Sequence, residues 1–263
     1  MKRGEEMNPT IETLLGHRSI RRFEDRLLPE GLLEQLIACG QRASTSSNLQ
    51  AYSVIHVSEP ERKAALAVLC ADQVQIHQSA AFLAFCADLH RDRMAGQMHG
   101  VERFDGDYVE TLLIATVDVA LMMQNVAVAA ESVGLGICMI GAMRNHPKAV
   151  GKLLRLPPFV YAVAGMCLGY PAQHPAIKPR LPVEAVLHRE QYMEDTTHRA
   201  YLSAYDQAMV GFYESQGMHP SDPRWTTVVG GRAGQFHNRA ELDAFLSEQG
   251  FKLRAVSQDP TDL

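Results

Sequence analysis

Strands that alternate with helices along the chain predict a layered fold, α/β or α+β. Two further observations agree: 263 residues, 46% hydrophobic and 21% charged, suffice for a sizeable core, and no self-similar period marks a repeat array. Disorder is excluded by the same composition. At this length one large domain or two small ones are both compatible with burying about 75% of the surface, the fraction expected near 300 residues.

The elements follow in order. Asn8-Pro9 ahead of Ile11, Leu14 and Leu15 combines a capping residue, a proline at the first helical position and an apolar stripe, so a short helix should end near Gly16. A second helix is expected from Pro29 to about Gln41, with Leu32, Leu33, Leu36 and Ile37 on one face. The polar run Ser44 to Asn48 reads as a loop leading into a strand over Ala51 to Ser58. Glu61 to Cys70 reads as a helix and Ala81 to Asp88 as a buried strand. Residues 90–106 lack apolar periodicity and read as a mobile surface loop.

From about Asp107 to Val133 runs a helix too long and apolar to bury only one face, expected to be covered on nearly all sides as a central or dimer-interface helix. Within it, Thr111 to Ala130 is long enough to span a membrane, but a central Asp118 costs roughly 2.5 to 3.5 kcal/mol on insertion scales. A helix buried in protein, and no membrane partner, is the expectation. Then come a strand at Gly136 to Ile140, a helix near His146 to Leu154 and a strand at Val160 to Gly169. The C-terminal third has a proline-rich loop, a helix from about Thr197 to Gln216, a second Gly/Pro-rich loop and a last helix around Ala240 to Glu248. Such a tail is expected to cover a partner subunit or a site.

Twenty-five Lys and Arg against 30 Asp and Glu give a net charge of -5 and a pI near 6.1, without the basic excess of a nucleic-acid-binding domain. The five cysteines, Cys39, Cys70, Cys86, Cys138 and Cys167, form no CxxC pair, follow no apolar leader and sit among apolar neighbours; they are expected to be reduced thiols packed as small hydrophobes in a cytoplasmic protein. Among the histidines there is no HExxH pair and no two-Cys, two-His spacing, so no metal site is expected. Walker and GxSxG motifs are absent as well. Gly230-Gly231-Arg232-Ala233-Gly234 does not link a buried strand to a helix and reads as a flexible linker.

Two basic clusters stand out. His17, Arg18, Ser19 and Arg21 bring an imidazole, guanidinium forks and a hydroxyl to the end of a helix, which suits a phosphate as well as a solvated charged turn. Lys178 and Arg180 lie in the proline-rich loop, where the prolines would stiffen them. Both clusters could converge on one phosphate.

His17-Arg18-Ser19-Ile20-Arg21, Ser46-Ser47-Asn48-Leu49-Gln50, Ile140-Gly141-Ala142-Met143-Arg144-Asn145, Leu168-Gly169-Tyr170-Pro171 and Lys178-Pro179-Arg180-Leu181-Pro182, in this order, resemble the group A oxygen-insensitive NAD(P)H nitroreductase and FMN reductase family over roughly residues 9–252. The resemblance implies an α+β fold: a mixed sheet sandwiched by helices, in an intertwined homodimer with FMN at the interface. It makes residues 1–263 a single domain, of which about 171–263 is an extension wrapping the partner. His17, Arg18, Ser19, Lys178 and Arg180 fall on the phosphate cradle, and Arg21 and Gln73 on contacts to the ribityl chain or pyrimidine edge. Ser46, Ser47, Asn48 and Gln50 match the loop lining the isoalloxazine, partly from the second subunit. Ile140 and Gly141 match the backbone approaching the ring, while Arg239 matches an arginine near the substrate opening. The implied activity is a two-electron, ping-pong reduction of nitroaromatics, quinones or flavins by NADPH or NADH, with no catalytic side chain. The alternatives are an NAD(P)H:FMN reductase supplying reduced flavin, or a non-catalytic flavin-binding protein.

Two departures qualify the likeness. The family's paired glycines become Gly141-Ala142, a methyl that leaves FMN binding intact. Where the family's arginines hold the NADPH 2'-phosphate, this chain aligns Gln216 and Ser221 with Arg224 nearby, and losing a charged fork is not conservative. NADH is therefore expected to serve at least comparably, with Arg224 and Arg239 as the nicotinamide and substrate residues.

Overall fold

Eight consecutive buried residues, Ala81–Asp88, form a central strand covered on both faces. The computed structural model describes residues 8–234 and 239–251. In chain order the elements are α1 (Pro9–Leu15), α2 (Leu32–Gly40), β1 (Tyr52–His56), α3 (Pro60–Leu69), α4 (Val74–Gln78), β2 (Ala81–Asp88), α5 (His90–Met98), α6 (Val109–Ser132), β3 (Gly136–Ile140), α7 (Pro147–Leu153), β4 (Val160–Gly169), α8 (Asp195–Ser215), α9 (Trp225–Ala233) and α10 (Glu241–Glu248). They group into two units, one ending at His174 and resuming at Arg239, the other beginning at Pro175.

The first unit contains the sheet, in the order β1-β2-β4-β3, with each neighbouring pair antiparallel. A parallel bridge between Ser19 and Ile137 adds the segment after α1 to the β3 edge and makes the pairing mixed. Alternation along β2 divides the core. Leu83 and Phe85 point toward Val119, Met122 and Val126 of α6, while Phe82, Ala84 and Cys86 point toward Leu66, Ile76 and Val150 of α3, α4 and α7. The sheet is thus sandwiched by helices, and the fold is α+β.

At its start α1 is capped as expected, with Asn8 Oδ1 accepting from the Thr10 N–H at 2.9 Å. The strands β2, β3 and β4 coincide with their sequence-predicted limits. α2 begins at Leu32, later than expected, because Gly31 takes a left-handed φ of 76°. The short helix α4 was not anticipated.

Two expectations are corrected. His90–Met98 is a helix, not a loop: Asp88 Oδ1 accepts from the His90 N–H at 2.9 Å and caps it. None of its side chains is buried, so no apolar period marked it. Similarly, Gly230 and Gly231 lie inside α9 and not in a flexible linker. Its first turn is held from α8, where Asp206 Oδ1 accepts from the Thr226 N–H at 2.9 Å and Oδ2 from the Thr226 hydroxyl. That capping offsets two helical glycines costing about 1 kcal/mol each.

α6 is covered on one side only by the described residues of its chain. Ala115, Val119, Met122, Val126 and Ala130 are buried, whereas Leu113, Val117 and Leu121 are exposed. The helix is long and apolar enough to cross a membrane, yet its apolar stripe packs on the sheet with Asp118 inside it. Of the cysteines, Cys70, Cys86, Cys138 and Cys167 pack as small hydrophobes, but Cys39 is exposed on α2. Burial pushes the Cys70 and Cys86 thiols up to about 12.

Candidate functional site

Residues 17–21 leave α1 and run along the sheet edge because Ile20, buried, donates its N–H to the Ile137 carbonyl at 2.8 Å. His17 Nδ1 is hydrogen-bonded to Glu131 Oε1 at 2.7 Å. Arg18 Nε donates to the Gly16 carbonyl at 3.2 Å, and the side chain lines a 250 Å³ cavity with Ile20, Glu131, Gly136 and His174. Ser19 takes the bridge to Ile137. Further along, burial raises the Cys138 thiol pKa, opposed by the Arg21 charge and a Gln75 hydrogen bond. Gln75 Nε2 also donates to Gln73 Oε1 at 2.7 Å, while Gln73 Nε2 donates to the Cys70 carbonyl at 2.9 Å. Gln73 is thus linked toward Cys138 through Gln75, a buried side chain that sequence reasoning missed, and the Arg21 charge acts on the same thiol.

At the end of β3, Ile140 leads into a 3-10 turn, Gly141–Arg144. Arg239, just before α10, donates from Nη2 to the Gly141 carbonyl at 3.1 Å and from Nε to Asn145 Oδ1 at 3.4 Å. Arg144, which donates to the Val163 carbonyl, was quoted in the sequence motif without a role. A Cβ at Gly141 would lie 3.7 Å from Arg144 Nη2 and 3.9 Å from Arg239 Nη2, so both guanidiniums converge there. Burial lowers the Arg144 pKa, and the Arg239 charge lowers it further. Arg18, Ser19, Arg21, Ile140, Gly141 and Arg239 thus follow one line beside β3.

A different anchor holds the Ser46 to Gln50 loop. Ser47, Asn48 and Gln50 have φ of 48°, 59° and 55°. Left-handed backbone at non-glycine residues costs about 1 to 3 kcal/mol each and persists where surroundings impose it. Asp118, 1% exposed, supplies the constraint: Oδ1 accepts from the Ser46 N–H at 3.0 Å and Oδ2 from the Ala51 N–H at 3.2 Å. One carboxylate holds both ends of the loop.

In the second unit Lys178 is exposed, and its Nζ donates to the Tyr213 hydroxyl at 2.9 Å. Arg180 is exposed, after Pro179, whose carbonyl accepts from Tyr205 Oη at 2.9 Å. Arg224 is bound by Asp222, with Nε to Oδ1 at 3.0 Å and Nη2 to Oδ2 at 2.5 Å. Those hydrogen bonds hold the Asp222 carboxyl well below the usual carboxylate range.

The nitroreductase family model matches residues 14–170, and the family's C-terminal domain model matches 178–254. This chain belongs to the nitroreductase family. A Bacillus subtilis relative named FMN reductase (NADPH) is 38% identical over 93% of this chain and 99% of its own length. An oxygen-insensitive NADPH nitroreductase of Salmonella typhimurium is 37% identical over 94% of this chain and 100% of its own. The solved NADPH:FMN oxidoreductase of Vibrio harveyi, complexed with NAD+, superposes with a TM-score of 0.85 at 36% identity, over 94% of this nitroreductase-family chain and 100% of that one.

Replacing Asp118 with alanine should orphan the Ser46 and Ala51 N–H groups, at about 1 to 3 kcal/mol for each that stays dry. Urea denaturation measures the loss. A midpoint equal to wild type would remove Asp118 from the loop's support.

Proposed function

We propose that this chain is an FMN-dependent NAD(P)H oxidoreductase that reduces nitroaromatics, quinones or flavins by two-electron ping-pong turnover. The line of donors beside β3, ending where two guanidiniums meet at Gly141, carries this reading. Its chemistry fits FMN: guanidiniums and a hydroxyl for a phosphate, amides near Cys138 for the polyol and pyrimidine edge, and a glycine backbone without a Cβ beside two guanidiniums for the ring.

Bound FMN supplies the redox chemistry. His17, Arg18 and Ser19 hold the phosphate. Lys178 and Arg180, in the second unit, are assigned to it by the family likeness. Arg21 and Gln73 orient the ribityl chain and pyrimidine edge. Ser46, Ser47, Asn48 and Gln50 line the ring, and Ile140 and Gly141 keep their backbone close to it. Arg144 and Arg239 stabilise negative charge developing near Gly141, as donors already in place do without reorganising. No side chain needs to act as a nucleophile.

A second reading, an NAD(P)H:FMN reductase that releases reduced flavin, is favoured by the name of the Bacillus subtilis relative. The assembly is a homodimer and the chain a single intertwined domain, whose extension toward the partner is the stretch after about residue 171; α10 instead packs Phe245 and Leu246 in the core of its own first unit, and residues 252–263 of the expected extension lie outside the described ones. The exposed Leu113, Val117 and Leu121 of α6 support that assembly, and the free cysteines suit the cytoplasm. At the nicotinamide and substrate opening, Arg224 and Arg239 are the candidate contacts. Asp222 already occupies Arg224, and Gln216 and Ser221 bring no charge, which supports use of NADH.

Purified protein should be yellow, bleach with reduced nicotinamide and recolour with nitrofurazone; protein that cannot be reconstituted with FMN would defeat the reading. Steady-state rates with added FMN against nitrofurazone separate the two activities. Arg18→Ala and Arg180→Ala should each weaken FMN binding by roughly 1.5 to 3 kcal/mol, the range for hydrogen bonds to charged groups. Fluorescence titration measures this, and full flavin retention by both variants would reject the cradle. The ratio of kcat/KM for NADPH over NADH should stay below about a hundred, some 2.7 kcal/mol. A higher ratio would restore a dedicated 2'-phosphate site.

A further inference from the structure

The strained loop has a second grip, from the helix that the sequence concealed. Arg91, in the first turn of α5, donates from Nη2 to the Gln50 carbonyl at 3.0 Å and to the Tyr52 carbonyl, and from Nη1 to Ser53 Oγ at 2.8 Å. Its guanidinium stands 3.4 Å from Asp88 Oδ2. That oxygen also accepts from Ser53 Oγ at 2.5 Å, while Asp88 Oδ1 caps α5 through the His90 N–H. Since α5 buries no side chain, this polar network, with little apolar burial, ties its N-terminus to β1.

The network is more than a tether for α5. Contacts to Ser53 and Asp88 would hold the helix by themselves, but the second arm of the fork reaches back to Gln50, the last left-handed residue of the loop. Asp118 grips N–H groups at the loop's two ends, and Arg91 grips carbonyls on either side of Ala51. Donor and acceptor sides of the same short segment are each fixed by a charged group from a different helix. A 420 Å³ cavity lined by Gln50, Tyr52, Ser53, Arg91 and Met122 lies alongside, so packing alone does not fill the space behind the segment.

We propose that Arg91 is a positioning residue for the flavin reaction, holding Gln50 in its left-handed backbone so that the Ser46 to Gln50 loop keeps its shape against the ring. This rests on the reading that the loop lines FMN. The guanidinium fork is the needed feature, because an ammonium is a single point donor and cannot span two carbonyls and a hydroxyl in a fixed plane.

The test uses the holoenzyme with Arg91→Lys, Arg91→Ala and, as a probe of the loop itself, Asn48→Gly, which removes the side-chain amide from the face assigned to the ring while tolerating the positive φ. Arg91→Lys should melt with wild type yet lose about ten- to a hundredfold in kcat with nitrofurazone, the scale of a small misplacement at a reacting centre. FMN affinity should change less than about threefold, as the charged groups assigned to the phosphate remain. The visible circular dichroism of the bound flavin should shift in both Arg91 variants. Wild-type kcat and dichroism in Arg91→Lys and Arg91→Ala, with only the melting temperature lowered in the latter, would overturn the proposal. If Asn48→Gly alters the dichroism while the Arg91 variants do not, Arg91 has no positioning role but the loop reading stands. If neither change alters it, the loop is not against the flavin and the proposal falls with that reading.

Discussion

A buried carboxylate in the middle of an apolar helix organises much of this fold. Asp118 sits among the residues of α6 that pack on the sheet, where an unpaired charge would cost several kcal/mol. Its two oxygens are satisfied by the Ser46 and Ala51 N–H groups, so the helix cannot bury its stripe without fixing the segment that enters β1. That segment sets where Tyr52 starts its pairing with Ala87, and hence which faces of β1 and β2 meet α6. The left-handed backbone at Ser47, Asn48 and Gln50 lies between those two bonds. A loop tied at both ends by one side chain has few residues in which to turn.

What could be read from the sequence divides along the range of the forces involved. The limits of β2, β3 and β4 were legible because each is an apolar run with local boundaries. α5 and α9 were not, because the carboxylates that support their first turns, Asp88 and Asp206, belong to other elements, and their own residues carry little apolar pattern. Asp118 was visible only as an interruption in a membrane-like run. Its meaning depended on N–H groups about seventy residues earlier, which no window of helical periodicity reaches.

The site shows the same division. The basic segment from His17 to Arg21 and the turn at Gly141 were proposed through a family likeness, since their chemistry is carried by adjacent residues. Gln75 and Arg144 were not found. Gln75 matters because it touches both Gln73 and Cys138, and Arg144 because it meets Arg239 from far along the chain. Neither juxtaposition has a sequence signature. Spacing identifies groups that act together within one turn or loop, whereas convergence of distant groups becomes visible only when the sheet sets their positions.

Net charge is a poor guide to this site for the same reason. The chain is acidic, and several of its basic side chains are answered locally: His17 by a hydrogen bond with Glu131, Arg91 by Asp88, Arg224 by Asp222. Arg144 and Arg239 differ. Their described hydrogen bonds go to carbonyl oxygens, of Val163, Gly141 and the Asn145 amide, and no described ion pair includes either. Two guanidiniums converging on one glycine repel each other, and carbonyl dipoles offset that only in part. The arrangement therefore favours negative charge arriving from outside the chain. Under the proposed function, that charge would be the one a flavin gains on reduction, and donors already in place would stabilise it without reorganising.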